Sequence, residues 1–182
     1  QKAPHFDGQG HTIDHLYINS SAQRVGLFGK TEAKAADASF IRNTSVGAQS
    51  YVRGNSYTTG TLVGWAKIIE LVNCSNAAEV SGADTVGGIA GYIVSGGRTI
   101  GCSNTGNVTS TGADSSTSGG IVGQGYGDFA YCSNIGTVYG GVNSNVAGIA
   151  NTYGSTVVSC YNAGRVDGIS GTGGGNAVVR GG

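Results

Sequence analysis

The stretch Thr99–Gly123, TIGCSNTGNVTSTGADSSTSGGIVG, holds one full copy of the pattern that fills the chain beyond residue 60. A short apolar lead-in meets Cys102-Ser103-Asn104, a turn at Gly106 and an isolated Val108. A polar loop follows, and the unit closes on the small apolar block Gly119 to Gly123. The Cys-x-Asn element recurs at Cys74/Asn76, Cys132/Asn134 and Cys160/Asn162, with successive cysteines 28, 30 and 28 positions apart. The small block recurs as Leu62-Val63-Gly64, Gly88-Ile89-Ala90-Gly91 and Gly148-Ile149-Ala150. Gly26 to Gly29 is its first copy, and Asn176 to Val179 a degenerate last one. A lone valine follows each Asn, at Val80, Val108, Val138 and Val166. Length variation sits in the loop between that valine and the small block, in SGADTV, TSTGADSSTS and YGGVNSN. One insertion-tolerant loop per repeat is the mark of a stacked array.

The content of the repeat selects the architecture. Leucine-rich repeats need dense Leu, helical repeats need long 3.6-residue periodicity that frequent Gly makes costly, and propeller blades are longer than this period. What remains is an all-β, right-handed parallel β-solenoid of about five to six coils, with 28 to 30 residues per coil. Three short strands per coil are expected: the Cys strand, the Val strand and the Gly-Ile-x-Gly strand. The whole chain, 1–182, reads as a single domain, with 1–39 a divergent first coil and 40–182 the repeats. Alternation over His15-Leu16-Tyr17-Ile18 predicts a strand with Leu16 and Ile18 inward. Lys30 to Ser39, KTEAKAADAS, is the one stretch of helix-favouring composition and predicts a helical turn or two. The chain starts at Gln1 and stops mid-pattern at Gly182, which reads as a piece of a longer protein.

Composition narrows the function. Gly fills 35 of 182 positions without a Gly-X-Y period, Pro occurs once, and charged residues make up only 11%. Net charge is zero, which argues against nucleic acid and anionic membranes as partners, since both are met by clustered Lys and Arg. No apolar run approaches the ~20 residues that cross a bilayer.

In a stack each side chain lies over its own copy, so a column must tolerate itself. Asn76, Asn104, Asn134 and Asn162 are expected to form an amide ladder, with Asn43 joining at the start. Gly106, Gly136 and Gly164 are expected to supply the positive φ of tight corners. Cys74, Cys102, Cys132 and Cys160 form a column inside the stack. Buried free thiols acting as small hydrophobes are the first reading. One or two vertical disulfides stay open, although in-register side chains hold their Cβ atoms at about the rung spacing of ~4.8 Å, where a bridge prefers ~3.8 Å.

Chemistry-bearing constellations are sparse, so no catalytic, cofactor-binding or metal-ligating residue is assigned. No CxxC pair exists, and His5, His11 and His15 all lie in the first coil, which speaks against zinc. Asp84 and Asp114 share a Gly-Ala-Asp loop without the nonapeptide calcium pattern. Gly123-Gln124-Gly125 precedes no helix, so phosphate cradling fails on context. The ten acidic residues scatter instead of converging as a polysaccharide-cleaving face would require. Tyr92, Tyr126, Tyr131, Tyr139, Tyr153 and Tyr161 are the candidates for a ligand surface that stacks on sugars, with lateral packing over Gly-rich corners as the plainer role.

With the repeat laid out, the chain resembles the GLUG-motif family of bacterial surface and secreted proteins. FDGQGHTIDHLYI followed by VGLFG (6–18 and 25–29), Ile41-Arg42-Asn43, GGIAG, GGIVG and the C-S-N-x-G-x-V segments carry the resemblance, which covers most of the chain. It implies a β-solenoid segment of large exported proteins, including adhesins and non-catalytic parts of immunoglobulin-cleaving proteases, and it supplies no catalytic residues. The last coil departs from the pattern, with NAVVR in place of the small block. The expected function is therefore a non-catalytic extracellular structural or adhesion module at the cell surface. Its expected partners are adjacent domains, copies of the same chain, or glycans and a host surface. A head-to-tail fibre subunit is the second expectation, since an open parallel stack exposes unpaired edges. A polysaccharide-acting enzyme is the third.

Overall fold

The computed structural model describes residues 4–34 and 37–168. The degenerate copy Asn176 to Val179 lies outside the described residues. The chain is an all-β solenoid whose parallel strands stack in about five turns. Sheets of nine, six, six and five strands run along it. In-register pairing places Asn76, Asn104, Asn134 and Asn162 in one column, and Val80, Val108, Val138 and Val166 in another.

Four faces replace the three strands per coil expected from the sequence. The Asn face carries Ser75–Asn76 and its copies, and the Val face carries Glu79–Gly82, Val108–Ser110 and Val138–Gly140. A Thr face follows, made of Thr58–Gly60, Thr85–Gly87, Thr117–Gly119 and Asn145–Ala147. The broad face takes the remaining chain, where Ala90–Ile100 and Val122–Ala130 each run as one long strand. The Thr strands lie inside what reads in sequence as the variable loop, which shrinks to 83–84, 111–116 and 141–144. β-Branched Thr suits a strand, and all residues of Thr58–Gly60, Thr85–Gly87 and Thr117–Gly119 are buried. The small block spans a corner: Ile89, Ile121 and Ile149 turn into the core between the Thr and broad faces, and the residues after them, Ala90-Gly91, Val122-Gly123 and Ala150, open the broad-face strands.

The helical turns expected over Lys30 to Ser39 are not formed by the described residues there. Phe28–Glu32 is a strand paired with Val63–Lys67, and Lys34 and Asp37 close an antiparallel bridge before Ser39–Arg42 begins. Register with the next coil outweighs the weak propensity of so short a segment.

Two cores result. The main one stacks Leu62, Ile89, Ile121 and Ile149 with Ile41, Leu71, Phe129 and the four cysteines. The second holds Val80, Val86, Val108, Val138 and Val146 between the Val and Thr faces. Within this second core small and large residues alternate in compensating pairs. A Cβ on Gly82 would sit 2.7 Å from Val86 Cγ2, and one on Gly140 would fall on Val146 Cγ2. The intervening rung replaces Gly–Val by Ser110 and Ser118, which pair with Gly82 and Val86 in register. Ser110 Oγ donates to the Asp84 carbonyl at 2.9 Å, whereas the buried Ser118 Oγ has no partner. Ser118→Val alone is expected to lose stability by crowding Ser110, and Ser110→Gly alone by opening space. The double substitution restores the Gly–Val pair and removes the orphan hydroxyl, with a favourable coupling of about 1–2 kcal/mol in a double-mutant cycle read by urea unfolding. Simple additivity would disprove the compensation.

Candidate interaction surface

The landmarks of the sequence turn inward. Asn76 Nδ2 donates to Asn104 Oδ1 at 2.8 Å, Asn104 to Asn134 at 2.7 Å, and Asn134 to Asn162 at 2.7 Å. Each amide also donates to the carbonyl two residues on, at Ala78, Gly106, Gly136 and Gly164. Asn43 stays outside this column, where Val46 pairs with Asn76. Instead Asn43 Nδ2 donates to Asp7 Oδ1 at 3.1 Å. With the Gln9 amide and Arg42 Nε also donating, Asp7 is held at a pKa of about 2.

Gly106, Gly136 and Gly164 do not have the positive φ expected of them. They are glycines because a Cβ would fall on the carbonyl oxygens of Ala78, Gly106 and Gly136 in the preceding rung. Positive φ belongs to the residue before each cysteine, at Asn73 (52°), Gly101 (62°), Tyr131 (56°) and Ser159 (50°). Asn43 begins that column at 51°.

The four cysteines are free and buried. Each thiol lies 3.4 to 3.6 Å from the carbonyl two residues back, at Val72, Ile100, Ala130 and Val158. Thr44, one coil earlier, donates to the Arg42 carbonyl in the same way. The Cys132 and Cys74 thiols and burial together push the Cys102 thiol well above the usual range, and burial pushes Cys160 up. Hydrogen bonding with Cys102 shifts the Cys74 and Cys132 thiols the other way, and burial of all four keeps them from outside partners.

The tyrosines divide. Tyr131 projects from the positive-φ corner, 67% exposed, Tyr161 stands on the Asn face beside Ser133, and Tyr139 lies on the Val face between Thr109 and Asp167. Tyr92, Tyr126 and Tyr153 converge on the outer side of the broad face. Tyr92 is in register with Trp65 below and Gln124 above, and the Tyr126 and Tyr153 rings are 5.6 Å apart. Partial burial, with Tyr126, Tyr57 and Tyr153 close by, raises the Tyr92 pKa. Tyr57 and Trp65 are thus members of this cluster that sequence reasoning missed. Tyr57 precedes a Thr-face strand, and only the fold of the corner brings it beside the broad face.

The stripe has a charged end. Lys30 is in register with Trp65, and Lys67 with Glu32. Arg24 Cζ and Lys30 Nζ each lie 5.1 Å from the centre of the Trp65 ring. Glu32 is bonded to Lys30 at 2.7 Å, with Lys67 at 3.9 Å, and the Lys30 bond lowers its pKa. Further along the rod the ion pairs are isolated, as in Glu70 with Arg98 and Asp167 with Arg165. Among the described residues no group of three or more His, Cys, Asp or Glu is placed to hold a metal ion. No helix of the described residues is long and apolar enough to cross a membrane.

No protein-family model matches the sequence, and no curated protein does. Among solved structures, "a putative immunoglobulin A1 protease from Bacteroides ovatus" is similar, with a TM-score of 0.59 at 16% sequence identity. The match covers 94% of this chain and 65% of that one, so the chain spans somewhat less than two thirds of its neighbour. At that identity the likeness is one of fold, and a β-solenoid is the fold that the GLUG resemblance implies.

Proposed function

We propose that this chain is a non-catalytic structural and adhesive module of an exported bacterial protein of the GLUG-motif type, acting outside the cell. The observation that carries the reading is the use made of the repeated polar residues. The Asn column bonds to itself, the thiols face backbone carbonyls, and the paired acids sit on outer surfaces, so the repeat's chemistry goes into holding rungs together. What faces solvent in concentrated form is an aromatic stripe, suited to contact rather than to bond cleavage. A parent protein longer than this chain would use such a rod to space or present its other parts.

A specific feature favours a second reading, assembly into a fibre. His5–Asp7, Thr12–Ile13, Tyr17–Ser20 and Arg24–Val25 each pair on one side only among the described strands, and a parallel rung of this kind can take a further rung from preceding chain or from a second copy. One set of measurements decides among the readings. The purified chain is expected to elute as a monomer whose mass by light scattering is independent of concentration. It is expected to release neither reducing ends nor unsaturated uronides from host and plant polysaccharides, and to leave immunoglobulin A intact. Mass growing with concentration would favour the fibre, and turnover of any of these substrates would overturn the non-catalytic reading.

A further inference from the structure

We infer that the stripe on the broad face is a binding site for a carboxylate-bearing glycan, its acidic sugar at the Trp65 end and its neutral sugars along the tyrosines. The inference rests on the adhesive reading above and gives it a ligand class. Two outward columns build the site, one running Lys30, Trp65, Tyr92, Gln124 and the other beginning Glu32, Lys67. Tyr126 and Tyr153 continue the surface upward, with Tyr57 beside it.

Three observations select the ligand. First, exposed rings gather beside the strand pair that sets Trp65 against Tyr92: Tyr126, on the strand Val122–Ala130, is 40% exposed, and Tyr57 and Tyr153, at bends next to the sheet, are 48% and 49% exposed, while Trp65 and Tyr92 are half-buried. Parallel rungs recur every ~4.8 Å, close to the advance per residue of an extended pyranose chain, so successive sugars can meet successive rungs. Second, the two ends differ in charge. Arg24, Lys30 and Lys67 gather around Trp65 against the single carboxylate of Glu32, while the outward positions at Tyr92, Gln124 and Tyr126 carry no charge. Third, Arg24 and Lys30 each hold their cationic group 5.1 Å from the centre of the Trp65 ring, so positive charge and aromatic surface meet at one place. A cluster of cations at one end of an aromatic stripe matches a carboxylate attached to a ring that stacks. A neutral glycan would leave the excess charge unanswered. Nucleic acid, the other polyanion that stacks on aromatics, needs positive charge along its whole track, and the tyrosine half has none.

The chain's one tryptophan, Trp65, makes the site its own reporter. Sialyllactose and tri-galacturonate represent the two sources of a carboxylated pyranose, with lactose and cellotriose as neutral counterparts. Trp65 fluorescence is expected to shift on titration with at least one acidic glycan below ~1 mM, and which of the two responds identifies the source. Raising ionic strength from roughly 0.05 to 0.5 M should weaken binding at least about three-fold. Lys30→Gln with Lys67→Gln, and separately Tyr92→Ala, should each weaken it about ten-fold. Tyr17→Ala, on the Val face, should leave it unchanged, and circular dichroism shows whether each variant is folded. An unchanged Trp65 signal with both acidic glycans at ~10 mM overturns the inference. Equal binding of the neutral counterparts, or insensitivity to salt, overturns the carboxylate assignment. Binding and cleavage are separate readouts. Binding without turnover supports both readings, turnover overturns the non-catalytic one alone, and no binding with a stable monomeric rod removes the ligand while leaving the structural role.

Discussion

Gly91→Ala is expected to cost about 3 kcal/mol or more, enough to unfold much of the stack at moderate urea. A Cβ at this position would lie 2.6 Å from the Gly64 carbonyl oxygen and 2.7 Å from the Thr59 amide nitrogen. Both are backbone atoms, one in the rung below and one in the Thr face across the interior, so no side chain can turn away to make room. Gly64 and Gly123 occupy the same column and press on the backbone of Val25 and Val86 in the same way. In the last described coil the register slips between Val122 and Gln124. There the Asn151 amide closes the contact by donating to the Ser118 and Gly123 carbonyls, each at 2.9 Å. Gly125→Ala supplies the control, because its Cβ would meet only side-chain atoms, at 3.3 to 3.6 Å. It should be neutral within about 0.5 kcal/mol. Urea unfolding followed by far-ultraviolet circular dichroism measures both, and equal midpoints would refute the backbone-contact account.

Asn104→Val is the second large effect, expected at about 3 kcal/mol. The substitution strands the Asn134 Oδ1 and Gly106 carbonyl acceptors and removes the acceptor of Asn76 Nδ2, all in the buried column. Asn76→Val should cost a similar amount: no amide below donates to Asn76 Oδ1, but the buried Ala78 N–H does, at 3.1 Å, and it would be stranded together with Asn104 Oδ1 and the Ala78 carbonyl. Urea unfolding measures both, and losses under about 1 kcal/mol would refute a buried amide ladder.

The stacked architecture was legible because self-stacking forces each column to repeat. The intervals between Cys74, Cys102, Cys132 and Cys160 define the coil directly, and the Val column confirms the phase. The Thr face escaped detection because its column changes identity, from Thr58, Thr85 and Thr117 to Asn145, and because it sits among turn-like residues. Gly106 was legible as a special position, but with the wrong cause. Its glycine answers a carbonyl one rung away, and an interval in the sequence carries no information about distance between rungs. Tyr131 in a positive-φ corner carries no sequence signal either, since Asn, Gly, Tyr and Ser all occupy that column.

Of the candidate surface, the sequence offered six tyrosines and could not sort them. Tyr139 and Tyr126 look equivalent as residues in Gly-rich surroundings, yet one stands on the Val face and the other on the broad face. Which face a residue lines depends on the parity of the strand and on the corner that precedes it, and a one-residue change reverses the outcome. Trp65, Arg24 and Lys30 meet because successive coils place distant residues in register. The sequence by itself therefore determined the repeat, the all-β stack and the identity of its self-pairing columns, because those follow from what can lie on its own copy. Only the tertiary structure decided the fourth face, the cause of each glycine and the meeting of Trp65 with Tyr92 and the cations. These depend on how one coil closes across its interior and where its corners fall, which residue spacing along the chain does not encode.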